Sequence, residues 1–399
     1  MFKFGKPTMK KFAAELRKAI QNVTGETYEF DSENNRLFVP GQGDNGSINL
    51  VNIFAEHCQL SKQDRPGNFL RIASLFDKSN HELPDNFEDA KQNLRPKIWC
   101  RSTFAMMELK VQLSGGQMHD IPLYPLGSHL YTSLVYDTPN SMRSLSNQDL
   151  EDWGVTYFEA MEHACRNLDE SSLVFASIGD NLHSSDSGDN YDSARVLLLD
   201  RIKSFSVVGE HVAMVPQRDA MYVTGSDDPD LLTLMFQLSD SGDEQEIRPL
   251  SPLPLVLRDG QWEDWTPPQN HIIREAFDLR ELYFLGSAYA EQKQLLDQIF
   301  ELKLIDLFVA SFSVIEMEET EMHRSYCVWS KGVDALLPRT QLVMMLDSPD
   351  GEPVIVKWDH VREAMGDLIV EDDSFYPPRY KVTEFPNDAQ LAELRTVEL

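Results

Sequence analysis

Phe12, Leu16, Ile20 and Val23 recur at three- and four-residue steps, which predicts an amphipathic helix near the start of the chain. Short alternating runs then predict strands over Thr27–Phe30 and Arg36–Val39, joined by a hairpin turn through Ser32-Glu33-Asn34-Asn35. A third strand is expected over Ser47–Leu50. Helices are expected over Val51–Leu60, Asn68–Phe76 and Asn86–Leu94, the last introduced by Pro84 and Asp85.

Past Pro96 the pattern changes to strands over Lys97–Arg101 and Leu130–Tyr136. Thr156 is placed to cap a helix whose Phe158, Met161, Cys165 and Leu168 share a face. A strand over Leu173–Ile178 leads into a polar loop over Asp180–Asn190, and Asp192 is positioned to cap a helix over Ser193–Phe205. Val212–Val215 and Ala220–Thr224 read as paired strands. Asp228 followed by Pro229 is a helix start on backbone grounds, and that helix is expected to reach about Leu238. Pro252–Leu257 and Gln261–Trp265 form a hairpin around Asp259-Gly260.

Thr266-Pro267-Pro268 breaks both periods and reads as a linker. Beyond it a long helix is predicted over Arg280–Lys303. Strand-like runs follow over Leu307–Met317, His323–Ser330, Gln341–Leu346 and Pro353–Trp358, then a short helix over Val361–Gly366 and a strand over Tyr380–Thr383. The apolar run Ile305–Val314 reads as a buried strand. The expected class is α+β: tandem small domains with mixed or antiparallel sheets and flanking helices, divided as 1–95, 96–268 and 269–399. No internal repeat interrupts this.

Composition supports a folded, acidic protein. Of 399 residues 42% are hydrophobic, enough to bury a sizeable core, and the formal net charge is −29. Such a field repels phosphate backbones and anionic lipid, so neither nucleic acid nor membrane insertion is expected. Lys3, Lys6, Lys10, Lys11, Arg17 and Lys18 concentrate positive charge at the N-terminus, and read as the solvated face of the first helix. Lysines interrupt Phe2, Phe4, Phe12 and Leu16, so no signal peptide is expected, and no run is apolar enough for a membrane span. Cys58, Cys100, Cys165 and Cys327 are far apart and form no CxxC pair, which fits reduced thiols in a cytoplasm. Oligomeric state cannot be read at this level.

Motifs with chemical content are scarce. Gly41-Gln42-Gly43-Asp44-Asn45-Gly46 matches GxGxxG, but it follows a hairpin strand ending in Pro40 and leads into another strand, so it reads as a turn and not a nucleotide loop. No HExxH, HxH or Cys/His cluster is present; His57 beside Cys58, and His163 near Cys165, do not face one ligand on a helix. Asp180, Asp186, Asp189 and Asp192 share a loop without EF-hand spacing, and read as a hydrated loop before a weak Ca²⁺ site. Glu316, Glu318, Glu319 and Glu321 surround an expected hairpin tip. No GxSxG or Walker A motif occurs. No catalytic residue, metal or cofactor is assigned.

Residues 188–224 are more specific. Gly188-Asp189-Asn190-Tyr191-Asp192-Ser193-Ala194-Arg195-Val196-Leu197, then Gly209, then Val215-Pro216-Gln217-Arg218-Asp219, resemble the bacterial YtpQ-like family, a domain of unknown function. Weaker similarity, through Lys97–Ser102, Leu134–Asp137, Arg143 and Pro249–Pro252, extends it over about residues 8–265. The chain departs from the pattern in its acidic loops and in Ser193-Ala194, where the family more often has Ala-Ser. The resemblance implies a bacterial source and no known chemistry.

The residues themselves offer one polar cluster: Tyr191, Asp192, Arg195, Arg218 and Asp219. Asp192 and Arg195 lie one turn apart, and Arg218 and Asp219 follow Pro216 at a strand start. An Asp–Arg network stitching helix to turn is the expected arrangement. Guanidinium groups left open would instead bind a small anion. The function expected is therefore a non-enzymatic interaction or scaffold protein whose partner is another protein, with a small-anion binder or enzyme as the alternative.

Overall fold

In a computed structural model of the chain, residues 7–41, 47–76, 82–138, 142–170, 175–185, 187–240, 249–317, 322–348 and 351–394 are described. Gln42–Gly46, Lys3, Lys6, Asp186, Glu318, Glu319, Glu321 and Asp350 lie outside them. The fold is α+β, with separate antiparallel and mixed sheets flanked by helices. The chain forms two compact units, one of residues 1–100 and 116–265, the other of residues 101–115 and 266–399. It therefore crosses between units three times, at 100/101, 115/116 and 265/266. Among the described residues no helix is long and apolar enough to cross a membrane.

The first unit opens with helix Met9–Thr24. Thr8 caps it, and Phe12, Leu16 and Ile20 are buried on one stripe. They pack on an antiparallel sheet of Glu29–Asp31, Arg36–Phe38 and Ser47–Asn49, and on helices Val51–Gln59 and Arg65–Ser74. His57 is buried in this core, between Phe12 and Phe69, with ring centroids 4.8 and 4.7 Å away. Its protonation is set by a neighbour. Arg71 donates through Nε and Nη2 to Asn68 Oδ1, at 3.1 and 2.9 Å, so the Asn68 amide nitrogen faces His57 Nδ1 at 3.1 Å. That nitrogen must then accept, which requires a neutral ring. Burial, with the charge of Arg65 adding to it, pushes the His57 pKa down.

A second antiparallel sheet places Leu94–Cys100 against Leu130–Asp137, with Tyr124–Leu126 and Met142–Ser144 also on the latter. Its burial alternates. Leu94, Leu134 and Tyr136 face helices Asn147–Trp153 and Tyr157–Glu170. Helix Asn147–Trp153 was not expected, although Ser146 and Asp149 form a capping box that marks its start. In helix Tyr157–Glu170 the buried stripe is Tyr157, Ala160, Ala164 and Leu168. The expected stripe through Phe158 is one residue out of phase, and Phe158 is 65% exposed. Small alanines let the helix sit close to the sheet, and their low hydrophobicity hid the true face.

A six-stranded antiparallel sheet completes the unit, in the order Gln261–Asp264, Pro249–Arg258, His211–Gln217, Ala220–Gly225, Leu182–Ser185, Phe175–Ile178. Asp259 and Gly260 both take positive φ, as a tight two-residue hairpin requires. Leu182–Ser185 corrects the expected loop over 180–190. It is a fully buried strand, and its polar His183, Ser184 and Ser185 concealed it. The helix expected over Ser193–Phe205 is instead a 3-10 turn, Ser193–Leu197, and a short α-helix, Leu199–Lys203. Helix Pro229–Ser239 begins as expected, with Asp228 accepting from Leu231 N at 3.1 Å.

In the second unit helix Arg101–Leu113, which sequence reading missed, packs Met106 and Leu109 on Leu295, Leu296 and Ile299 of helix Arg274–Lys303. The expected strand Leu307–Met317 is two strands in different sheets. Phe308–Val309, Ala335–Pro338, Arg379–Val382 and Val370–Asp372 form one sheet. Ser313–Met317, Met322–Ser330, Leu342–Leu346 and Val354–Lys357 form the other, with a parallel central pair. Ile305 and Phe308 are exposed, so the buried-strand reading of that apolar run does not hold. Trp329, Leu337, Val343, Val356, Trp358 and Tyr380 fill the core.

Arg379 is wholly buried at its edge. It donates to Gln292 Oε1 at 2.6 Å, Ala310 O at 2.6 Å, Leu336 O at 3.3 Å and Tyr289 O at 3.2 Å. Burial pulls its pKa down to about 10.

Two outcomes follow from these buried groups. Replacing Arg379 with Ala leaves carbonyls without donors and a large void, and is expected to cost at least about 3 kcal/mol. Hydrogen exchange should then quicken in Ala335–Pro338 and Arg379–Val382, and stay unchanged in His211–Gln217. For His57 the folded pKa lies below the unfolded one, so its contribution is present above the ordinary histidine pKa of about 6.5 and is lost as pH falls beneath it. Exchange in helix Met9–Thr24 should quicken over that range in wild type, and far less in His57→Gln.

Candidate functional site

The polar cluster singled out in the sequence assembles in the first unit around Arg195. Tyr191, Asp192 and Arg195 are buried on the 3-10 turn and the residues leading into it. Arg218 and Asp219 are the two-residue turn between strands His211–Gln217 and Ala220–Gly225, both half-buried. Two hydrogen bonds join the two places: Ser193 N donates to Arg218 O at 3.0 Å, and the Arg218 side chain donates through Nε to Asn190 O at 3.1 Å. Arg218 Nη2 also lies 3.1 Å from Met142 Sδ.

Asp192 does not cap the turn that follows it. Its backbone is already helical, so its carboxylate points back at the preceding loop instead. There Asp192 Oδ1 accepts from Ser185 Oγ at 2.6 Å, Ser187 N at 2.8 Å and Ser187 Oγ at 2.9 Å, and Oδ2 accepts from Gly188 N at 3.2 Å. Arg195 Nη1 donates to the same Asp192 Oδ1 at 3.3 Å. The guanidinium is also bidentate to Asp189, through Nη1 at 3.0 Å and Nη2 at 2.6 Å. Two of the four loop aspartates thus turn inward to one cation, which corrects their reading as hydrated. Burial opposes ionisation of Asp189, but hydrogen bonds from Arg195, Tyr191 N and Ser187, with the charge of Arg195, outweigh it and hold the carboxyl below its ordinary range.

On the far side of Tyr191 lies Asp137, the last residue of strand Leu130–Asp137. Desolvation raises the Asp137 pKa, against the Tyr191 hydroxyl and the charges of Arg95 and Arg218, while Asp189 adds to the rise. Burial, then the Asp137 carboxyl, raises the Tyr191 pKa too. The two groups are close, yet the Tyr191 hydroxyl has no partner in good hydrogen-bond geometry among the described residues. Sequence reading missed Asp137 and Arg95 as members of this cluster. They come from neighbouring strands far from Tyr191 in the chain, and the sequence signal for Arg95 was the alternation Leu94-Arg95-Pro96-Lys97-Ile98, which matches the alternating burial of that strand.

The arrangement offers buried ion pairing and little chemistry. Among the described residues no group of His, Cys, Asp and Glu is placed to hold a metal ion. Elsewhere in the unit Ser177 Oγ lies 3.2 Å from His183 Nδ1, while His183 Nε2 faces Ser206 O at 3.1 Å. These are directly opposed residues of paired strands, and the imidazole stacks on Phe205 at 4.3 Å, so the contact is explained by sheet packing. Burial pushes the thiols of Cys165 and Cys327 up to about 12, out of the nucleophilic range. No protein-family model, curated protein or solved structure matches the chain.

Removing Arg195 would leave Asp192 charged and without solvent. Arg195→Ala is expected to cost about 3–5 kcal/mol in chemical denaturation. Asp189→Asn should cost clearly less, because the Asp189 side chain is 36% exposed and Arg195 keeps its bond to Asp192.

Proposed function

We propose that this chain is a non-enzymatic interaction protein of a bacterial cytoplasm, acting on other proteins and not on a small substrate. The observation that carries this reading is the commitment of Arg195. Its guanidinium is fully buried, bidentate to Asp189 and bonded to Asp192, so its terminal nitrogens are taken by the fold itself. A cation neutralised in this way fastens a loop to a turn, and its one unpartnered nitrogen, Nε, is buried away from any incoming carboxylate or phosphate. The YtpQ-like resemblance expected from the sequence of residues 8–265 implies no known chemistry, which would suit that role, as would four free cysteines.

A second reading is favoured by one feature. Tyr191 brings a buried hydroxyl without a well-placed partner beside Asp137, whose carboxyl pKa burial pushes up, and Arg95 and Arg218 contribute positive charge there. A small anion would suit that corner.

Two measurements on the full chain separate the readings. Used as bait in native lysate, the chain should retain a partner protein well above background. Its melting temperature should not move with a panel of phosphorylated and carboxylated metabolites. A thermal shift that disappears in Arg218→Ala would overturn the interaction reading in favour of the ligand site, and an empty pull-down would remove its support.

A further inference from the structure

We infer that Tyr124 and Phe158 form a docking corner for an arginine side chain of a partner protein, which names a surface and a partner chemistry for the interaction reading above and rests on it. Three rings meet there within the first unit. Tyr124 lies on strand Tyr124–Leu126, and Tyr157 and Phe158 open helix Tyr157–Glu170. Tyr124 stacks on Tyr157, with ring centroids 4.1 Å apart and planes at 21°. Phe158 is steeply inclined to both, at 4.9 Å and 63° from Tyr124 and at 5.5 Å and 84° from Tyr157. Tyr157 is buried, whereas Tyr124 is 37% and Phe158 65% exposed. Tyr157 covers one face of the Tyr124 ring, so the exposed part belongs to its other face and rim.

Both sides of the corner are fixed by the fold. Tyr124 stands opposite Thr132 in the sheet, and the buried Thr132 hydroxyl lies 2.7 Å from the Tyr157 hydroxyl. Phe158 is set by the helix start. Glu159 Oε2 accepts from Thr156 N at 2.9 Å and Thr156 Oγ1 at 2.8 Å, while Glu159 N donates to Thr156 Oγ1 at 3.3 Å. That reciprocal cap pins the first turn. Rings already held in place lose little freedom on binding, which is what an anchor at an interface needs.

The occupant is argued from charge. Elsewhere the chain supplies its own cations to ring faces: Lys97 lies 3.7 Å from the Trp99 centroid, Arg362 5.0 Å from Tyr380 and Arg379 5.0 Å from Tyr289. Among the described residues no lysine or arginine lies over Tyr124, Tyr157 or Phe158. Residues 116–142 contain no lysine or arginine at all, and residues 144–165 contain none beside five acidic residues. Glu162 follows Phe158 by four residues and stands one turn along on the same helix face. Its pair with Arg166, at 2.8 Å, is solvent-exposed on both sides, and such a pair is weak enough to exchange.

The face of an aromatic ring attracts a cation. A guanidinium is flat, is weakly hydrated, and stacks on a ring while its fork stays open to a carboxylate. An arginine packed against Phe158 therefore satisfies ring and Glu162 together, which a compact ammonium does not. The net charge of −29 draws a basic segment toward the chain.

The test uses a blocked hexapeptide, acetyl-Gly-Leu-Arg-Pro-Arg-Gly-amide, titrated into the full chain at low salt. Its control carries citrulline, flat but uncharged, in place of both arginines. Binding is read by saturation-transfer NMR on the peptide. Saturation should be strongest on the arginine side-chain methylenes, and the citrulline peptide should bind at least about fivefold more weakly. Phe158→Ala should weaken the arginine peptide by a similar factor with an unchanged melting temperature, and Phe158→Tyr, which keeps a ring face, should bind nearly as wild type. No saturation transfer at millimolar peptide, equal binding of the citrulline peptide, or equal binding by Phe158→Ala overturns the corner. A lysate protein retained equally by wild type and Phe158→Ala also overturns it, and leaves the interaction reading standing. An empty pull-down from both removes the support of that reading, while the peptide titration still decides the corner.

Discussion

A guanidinium removed from water must be neutralised by the fold or the fold does not close. Each unit contains one, and they are answered differently. Arg195 is held by two carboxylates, Asp189 and Asp192. Arg379 has no carboxylate within ion-pairing distance among the described residues, and is held by three backbone carbonyls, the Gln292 amide and the face of the Tyr289 ring. Its ligands come from helix Arg274–Lys303, from Leu336 in strand Ala335–Pro338 and from Ala310 just after strand Phe308–Val309. None of those elements can shift without uncovering a charge. The same logic ties Ser187, Gly188 and Asp189 to the turn after them in the first unit.

Much of the fold was legible because local chemistry and tertiary demand agreed. Helix Met9–Thr24 follows its apolar stripe, Asp228 with Pro229 starts a helix on backbone grounds, and Asp259-Gly260 supplies the two positive φ values of a tight hairpin. It failed where burial was achieved with residues that do not look buried. Strand Leu182–Ser185 is interior but polar, and helix Tyr157–Glu170 docks through alanines. Helix Arg101–Leu113 has Phe104 and Met106 inside, but Met107 and Val111 on other faces blur its period. The site shows the same split. Sequence proximity brought out Tyr191, Asp192 and Arg195, while the orientation of Asp192 toward the loop behind it, and the approach of Asp137 from another sheet, are products of tertiary folding.

The acidic character of the chain is concentrated on its surface, where pairs such as Arg258 with Glu210 and Arg201 with Asp169 are solvent-exposed. Exposed pairs of this kind add little to stability. Their larger effect is on encounter, because the long-range field of a chain with formal net charge −29 biases approach. That bias acts on any partner, whichever surface it meets.

Helix Arg101–Leu113 lies early in the chain but belongs to the later unit, and this fixes an order of events during synthesis. Its partners Leu295, Leu296 and Ile299 emerge from the ribosome long after it does. Until then the nascent chain carries an apolar helix, bearing Met106 and Leu109, between two stretches that are free to fold around it. The interval is a window for chaperone capture. It also means that no cut at Thr266 yields two self-sufficient halves, since the shorter fragment would lack a wall of its core and the longer one would bear an orphaned helix.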